Sequence, residues 1–333
     1  MKKILSCIPI QKKDYLSKLN WLEKVLEKNN VDILVTPQEY FGGASMMEDN
    51  MSFTEEQIII DIKNLCKKYD TAIILGVEEK VKNINKESIW FIEKTGEIKG
   101  KLNKFALPKY DHIVTKGYGN IVPELNFEKR FEIIELEGIR FSAVFCWEVF
   151  SNILWTGISL QKPDIVLNMI KFGVNAWPVL EKSNKRKMRI KDFGYGHWEK
   201  EKDNIWIERL KFANKYQVFC PILCATNSWN LRPISLPLVG CISQIPGQVE
   251  SQSFWRPKKE MGLKKIPEKI IIDNIDVNKI RESIKNKYSY KEKTGSWPPW
   301  DLMEYTMLFK MARIENRIKS GKEKEKVIRA LLR

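Results

Sequence analysis

IRFSAVFCWEVFSN, residues 139–152, decides the fold. Its first half is an apolar run of branched and aromatic residues, which predicts a strand over Ile139–Phe145. Its second half changes period at Cys146 and reads as helix to about Leu160. A thiol at such a junction stands exposed at a strand end, with the N–H groups of a helix start aimed at it, a setting that lowers its pKa. Just upstream, Phe131–Leu136 reads as a strand and Glu137-Gly138 as the turn that closes a hairpin onto Ile139.

Outward from this stretch, short apolar runs alternate with amphipathic ones. Strands are expected over Ile4–Ile10, Asp32–Thr36, Ala72–Val77, Ser88–Glu93, Asp164–Asn168, Val218–Thr226, Val239–Gln244 and Ile270–Ile275. Helices are expected over Tyr15–Lys28, from the cap residue Thr54 to about Lys68, and over Ile205–Tyr216. Lys94-Thr95-Gly96-Glu97 marks a second hairpin turn. Strands that alternate with helices and are broken by hairpins predict an α/β layered domain with mixed sheets. The domain is expected to span residues 1–280. A basic, mostly helical extension follows over 281–333, where Lys and Arg outnumber Asp and Glu two to one.

The chain has 333 residues, 43% of them hydrophobic, enough for a large core without disulfides. Its six cysteines include no CxxC pair, and most read as buried, reduced thiols. His112 and His197 are the only two histidines. A Ser-His-Asp triad, a Cys-His pair or a two-His metal site would need one or both of them, so the expected chemistry does without imidazole. The N-terminal stretch offers two lysines, Lys2 and Lys3, and then too short an apolar run for a signal peptide, and no stretch reaches membrane-span length. A cytoplasmic protein is expected. The formal charge of +15 comes mostly from lysines with acids interleaved, and no RNP, KH or zinc-finger pattern accompanies it. A solvated surface, rather than nucleic acid or membrane, is the expected use of that charge.

Two further stretches carry candidate chemistry. In VDILVTPQEYFGG (31–43), Pro37 ends a strand, and Glu39 follows in a turn among aromatics and glycines, a setting for a general base. In IKGKLNKFALPKYD (98–111), Lys104 lies between apolar residues near Pro108, where an ammonium next to a reacting carbonyl would stabilise an oxyanion.

A carboxylate, a lysine and a cysteine in this order and these surroundings resemble the Glu-Lys-Cys triad of the nitrilase superfamily, the carbon–nitrogen hydrolases. PDIVLNMIKFGVNAWP (163–178), RLKFANKYQVFCPILCATNSW (209–229), LPLVGCISQIPGQV (236–249) and EKIIIDNIDVNKIRESI (268–284) are similar to that family's later segments, in order. The resemblance covers about residues 1–285. It implies a four-layer α-β-β-α sandwich that pairs into homodimers or larger homo-oligomers. It also implies a general base at Glu39, an oxyanion stabiliser at Lys104, a nucleophile at Cys146 and an oxyanion-hole N–H at Trp147. No metal or organic cofactor is implied.

The substrate implied is a small-molecule amide, carbamoyl compound or nitrile. An acyltransferase on the same scaffold and a non-catalytic polyanion-binding scaffold remain as alternatives. Gln38 stands between Pro37 and Glu39, where many members have Glu directly after Pro; some members of the ureidopropionase branch share the Gln. Asp111 and Glu124 are the candidates for the family's further substrate-positioning acid, and His112 falls where some relatives place it. Trp177 is a candidate pocket residue, and the basic insert Lys182–Trp198 a candidate lid.

Overall fold

Apolar faces on both sides of two β-sheets dictate the architecture of this computed structural model. It describes residues 1–9, 14–42, 54–81, 84–104, 120–121, 127–171, 205–227, 239–250 and 268–287. The first sheet contains β1 (Lys2–Ile8), β2 (Ile33–Val35), β3 (Ala72–Val81), β4 (Ile84–Ile92) and β5 (Ile98–Asn103). It also contains β6 (Asn120–Ile121) and β12 (Lys269–Ile275), in the order β12-β1-β2-β3-β4-β5 with β6 on β4. The second sheet contains β7 (Ile134–Leu136), β8 (Ile139–Phe145), β9 (Ile165–Lys171), β10 (Ile222–Asn227) and β11 (Gly240–Ile242), in the order β11-β10-β9-β8-β7. Each sheet has three adjacent parallel strands, β1-β2-β3 and β8-β9-β10, flanked by antiparallel neighbours.

The helices cover the outer faces. α1 (Tyr15–Lys28) starts at Asp14, whose carboxylate accepts from Ser17 N–H at 2.8 Å. α2 (Glu55–Tyr69) starts at Thr54, whose hydroxyl accepts from Gln57 N–H at 3.1 Å, and stops at Asp70 in the left-handed region. Leu22, Leu26, Ile58 and Ile62 of these helices pack with Leu34, Ile73, Leu75 and Trp90 on one face of the first sheet. Its other face carries Ile4, Val35, Ile74, Ile89 and Phe91 into a core shared with the second sheet. α3 (Phe127–Arg130) precedes the second sheet. α4 (Asn152–Gln161) and α5 (Ile205–Phe212), the latter running on into a wide turn at Ala213–Val218, close that sheet's far side through Trp155, Ile158 and Leu210. This is the expected α-β-β-α layering.

Several expected details shift. β1 begins at Lys2, two residues before the expected start. The strands expected over Ala72–Val77 and Ser88–Glu93 extend toward each other through a polar stretch, with Glu78 opposite Glu87 and Glu79 opposite Lys86. Backbone pairing carries this hairpin where side-chain hydrophobicity does not. The single helix expected after Cys146 is two elements: a 3₁₀ turn over Cys146–Phe150, then α4 beginning after the cap residue Ser151. The Glu137-Gly138 turn has both residues at positive φ, 53° and 76°, as a two-residue hairpin requires.

α6 (Val277–Lys287) carries the chain across residue 280, with Ile280 and Ile284 buried. Arg281 bridges Asp164 at 2.7 Å and donates to the Gly138 carbonyl at 3.0 Å. Residues 288–333 lie outside the described residues. Among the described residues, no helix is long and apolar enough to cross a membrane.

Phe91 of the first sheet and Phe141 of the second are fully buried, with ring centroids 6.0 Å apart across the shared core. Phe141→Ala is expected to cost about 3–5 kcal/mol, because the stacked sheets cannot collapse into the space. Urea unfolding checks this as a lowered midpoint with an unchanged slope.

Candidate functional site

Glu39 stands on a bulge between two strands. Val35 pairs with Ile74 and Phe41 with Val77, so one strand advances six residues while β3 advances three. The surplus folds over Gly76. A Cβ on Gly76 would lie 2.1 Å from the Pro37 carbonyl oxygen and 2.9 Å from the Glu39 nitrogen, so only glycine lets the bulge approach this closely. Thr36 Oγ1 accepts from Gly76 N–H at 3.0 Å, and Phe41 N–H donates to the Gly76 carbonyl at 3.2 Å. Tyr40 and Phe41 turn outward into the core beneath α1, where Tyr40 OH donates to the Lys18 carbonyl at 2.8 Å. The aromatics therefore anchor the bulge rather than surround the carboxylate. Glu39 itself is buried with φ 50°.

Lys104 follows β5 directly. Its N–H donates to the Glu87 carbonyl at 2.9 Å, which keeps the residue in register beside β4. Its Nζ pairs with Glu87 Oε2 at 2.7 Å, both side chains being buried. Gln38 Nε2 also donates to Glu87 Oε2 and lies 3.5 Å from Glu39 Oε1. One amide thus links the carboxylate that holds Lys104 to the carboxylate of Glu39. Glu78 is the cross-strand neighbour of Glu87 on its other side and is also buried.

Cys146 follows the last residue of β8 and has φ 39°, in the left-handed region that L-residues other than glycine rarely adopt. Glu148 stabilises the turn. Its Oε2 accepts the Phe145 N–H at 2.9 Å and the Arg130 guanidinium, which also donates to the Ala143 carbonyl at 2.9 Å. Arg130 and Glu148 are both fully buried, and Arg130 lies 5.6 Å from the Phe145 ring centroid. Trp147 contributes its backbone to the 3₁₀ turn. Because α4 starts only at Asn152, the helix-start N–H groups expected next to the thiol belong to this short turn instead.

The six cysteines divide sharply. Cys7, Cys66, Cys220, Cys224 and Cys241 are buried and unbridged, and Cys146 alone is partly exposed. Burial pushes the Cys66 thiol up to about 12 and raises the other four buried thiols as well. Those five are poor nucleophiles for want of both access and thiolate.

Of the residues singled out from sequence, the structure joins Glu39 and Lys104 through Gln38 and Glu87, and sets Cys146 at a strand end of the opposite sheet. Asp111, Glu124 and Trp177, both histidines and the insert Lys182–Trp198 lie outside the described residues. Glu87, Gly76 and Arg130 are additions. Glu87 was findable: it alternates in phase with Ile89 and Phe91, and Lys104 with Leu102, all turned toward the inter-sheet core. Among the described residues, no group of three or more His, Cys, Asp or Glu is arranged to hold a metal ion.

The sequence profile of the carbon–nitrogen hydrolases matches residues 11–186. No curated protein matches the chain at a significant level. Solved structures give the same fold at low identity. A carbon–nitrogen hydrolase from Helicobacter pylori G27 is 14% identical, with a TM-score of 0.59 over 88% of this chain and 94% of its own. Nit3 of Saccharomyces cerevisiae, from branch 10 of the nitrilase superfamily, is 10% identical, with a TM-score of 0.55 over 88% and 96%. An amidase from Nesterenkonia sp. AN1, solved with acrylamide added to its active-site cysteine, is 9% identical, with a TM-score of 0.53 over 86% and 100%.

Two measurements check this geometry. Iodoacetamide applied to the folded protein near neutral pH is expected to label Cys146 and leave the other five cysteines unmodified, as read by peptide mass mapping. Arg130→Met leaves the Glu148 carboxylate buried without its cation, and is expected to destabilise the fold by about 3–5 kcal/mol in urea unfolding.

Proposed function

Because the chain belongs to the carbon–nitrogen hydrolase family, we propose that it cleaves a non-peptide C–N bond of a small molecule through a thioester on Cys146. The observation that carries this reading is the singularity of Cys146: it is the one partly exposed thiol among six, held at φ 39° where β8 ends. Left-handed backbone at a non-glycine residue is an unfavourable conformation that functional sites retain.

In the proposed reaction, Glu39 takes the thiol proton as Cys146 attacks the carbonyl or nitrile carbon. The Lys104 ammonium and the Trp147 N–H stabilise the negative charge that develops on the oxygen or nitrogen of that group. For an amide or carbamoyl compound, Glu39 passes its proton to the leaving nitrogen, the C–N bond breaks, and ammonia or an amine departs. For a nitrile, that proton goes to the nitrogen to give a thioimidate, which adds one water and loses ammonia to reach the same thioester. Water, deprotonated by Glu39, then attacks the thioester carbonyl and releases the acid and the free thiol. The 1–280 unit carries this chemistry, and the basic segment 281–333, apart from the end of α6 that packs on its own domain, is assigned to contact with a second copy of the chain. Trp177 and either Asp111 or Glu124 are assigned to the substrate pocket.

A panel of simple amides, carbamoyl compounds and nitriles, followed by ammonia release, tests the reading. Cys146→Ala is expected to abolish turnover of every substrate that the wild-type protein cleaves. Cys66→Ala is expected to keep kcat/KM within about twofold, since a buried, protonated thiol takes no part. Retained turnover in Cys146→Ala would overturn the assignment.

A further inference from the structure

Glu87 has no part in the reaction as written, yet it is the residue on which Lys104 and Gln38 converge. Cross-strand register sets Glu78, Glu87 and Lys104 side by side across β3, β4 and the end of β5, on the face turned toward the second sheet. Lys104 Nζ and Gln38 Nε2 both donate to the same oxygen, Glu87 Oε2. The amide of Gln38 has two N–H groups, and its second acceptor is the Glu39 carboxylate, 3.5 Å away. The result is an ordered line: Glu39, Gln38, Glu87, Lys104.

Charge conservation during the reaction gives this line a purpose. A lysine stabilises an oxyanion only while it is protonated, and a buried ammonium stays protonated only beside a negative partner. Glu39 is unsuited to be that partner, because it becomes neutral on accepting the thiol proton, when negative charge is building on the substrate. Glu87 exchanges no proton in the proposed steps, so its charge persists through the cycle. We infer that Glu87 is a positioning residue for the proposed hydrolysis: its carboxylate holds the Lys104 ammonium in place and, through the Gln38 amide, fixes Glu39 relative to it. This rests on the assignment of Glu39, Lys104 and Cys146 given above. Glu87 lies upstream of Lys104 and is distinct from the acid expected at Asp111 or Glu124.

Other charges nearby are accounted for by element. β3 contributes Glu78, the bulge Glu39, and β5 Lys104. α3, which packs on β5, contributes Arg130, already paired with Glu148, and the exposed Lys129. Lys101 turns to the opposite face of β5 and pairs with Glu79 at 2.8 Å.

Glu87→Gln tests the inference, because it keeps the shape and one oxygen able to accept from both Lys104 and Gln38 while removing the charge. In kinetics with the best amide of the panel, kcat is expected to fall by more than about tenfold with little change in KM. That remains short of the ~10²–10³-fold cost of losing an oxyanion donor outright. The alkaline limb of the kcat/KM profile is expected to move to lower pH, because the ammonium now sheds its proton more readily. Glu87→Asp, which retains the charge, is expected to restore the limb to its wild-type position.

A second readout needs no substrate. In Glu87→Gln the unfolded chain binds a proton at Lys104 that the folded chain holds poorly, so the variant's stability rises with pH below the lysine's unfolded pKa. Its deficit against wild type in urea unfolding is therefore expected to shrink between pH 7 and 9.5, by at most about tenfold in the folding equilibrium per pH unit. A deficit that does not change with pH, or a wild-type alkaline limb in Glu87→Gln, would overturn the inference while an inactive Cys146→Ala leaves the hydrolase reading intact. An active Cys146→Ala removes that reading itself.

Discussion

An apolar slab between two sheets admits a charge only together with its partner. This constraint organises the described part of the molecule. Lys104 enters the slab beside Glu87, Arg130 enters beside Glu148, and Arg281 closes over Asp164 at its margin. The last two of these pairs join segments that backbone pairing alone would leave independent, and the first carries a contact on to the bulge. Glu87 ties a β-strand to the bulge above it, Glu148 ties the turn after β8 to α3, and Asp164 ties the second sheet to α6. Desolvation makes such pairs poor sources of net stability, but it also makes the loss of one member costly, so they act as fixed points.

Around those fixed points the backbone takes conformations that it would otherwise avoid. Glu39 and Cys146 both have positive φ, at 50° and 39°, and neither is glycine. The left-handed conformation costs roughly 1–2 kcal/mol per residue, borne here by hydrogen bonds on either side. For Glu39 these run through Gly76 to Thr36 and Phe41; for Cys146 they run through Glu148 to Phe145. Side chains that continue a strand alternate between its two faces, whereas a residue at positive φ leaves that alternation. Both candidate catalytic residues are released from the pleat in this way, and Lys104, still in register with Glu87, is not.

Much of this was legible in the sequence because hydrophobic period and turn chemistry are local signals. The hairpin at Glu137-Gly138, the strand ending at Phe145, the cap Thr54 and the turn at Gly96 need only a few neighbouring residues to specify them. Family membership followed from the order of the Glu39, Lys104 and Cys146 stretches. What escaped depends on distant partners. The polar run from Glu78 to Glu87 looks like a loop until Glu78 is set opposite Glu87 and Lys104 beside it. Arg130 sits in a one-turn helix without periodicity, and its burial is explained by partners beyond that helix, Glu148 and the Ala143 carbonyl. The break at Ser151 was hidden because Trp147, Val149 and Leu154 continue an apolar pattern across two elements.

The pairing of β1 has a consequence for how the chain is made. β1 lies between β2, parallel to it, and β12, antiparallel to it with Lys2 opposite Ile275. β1 is thus completed by a strand far downstream of it, and one edge of it stays open while all of the chain between the two is made. Such an edge is a template for pairing with other nascent chains. Lys2 and Lys3 stand at the start of that edge, opposite Ile275 and Asn274, where positive charge discourages premature partners.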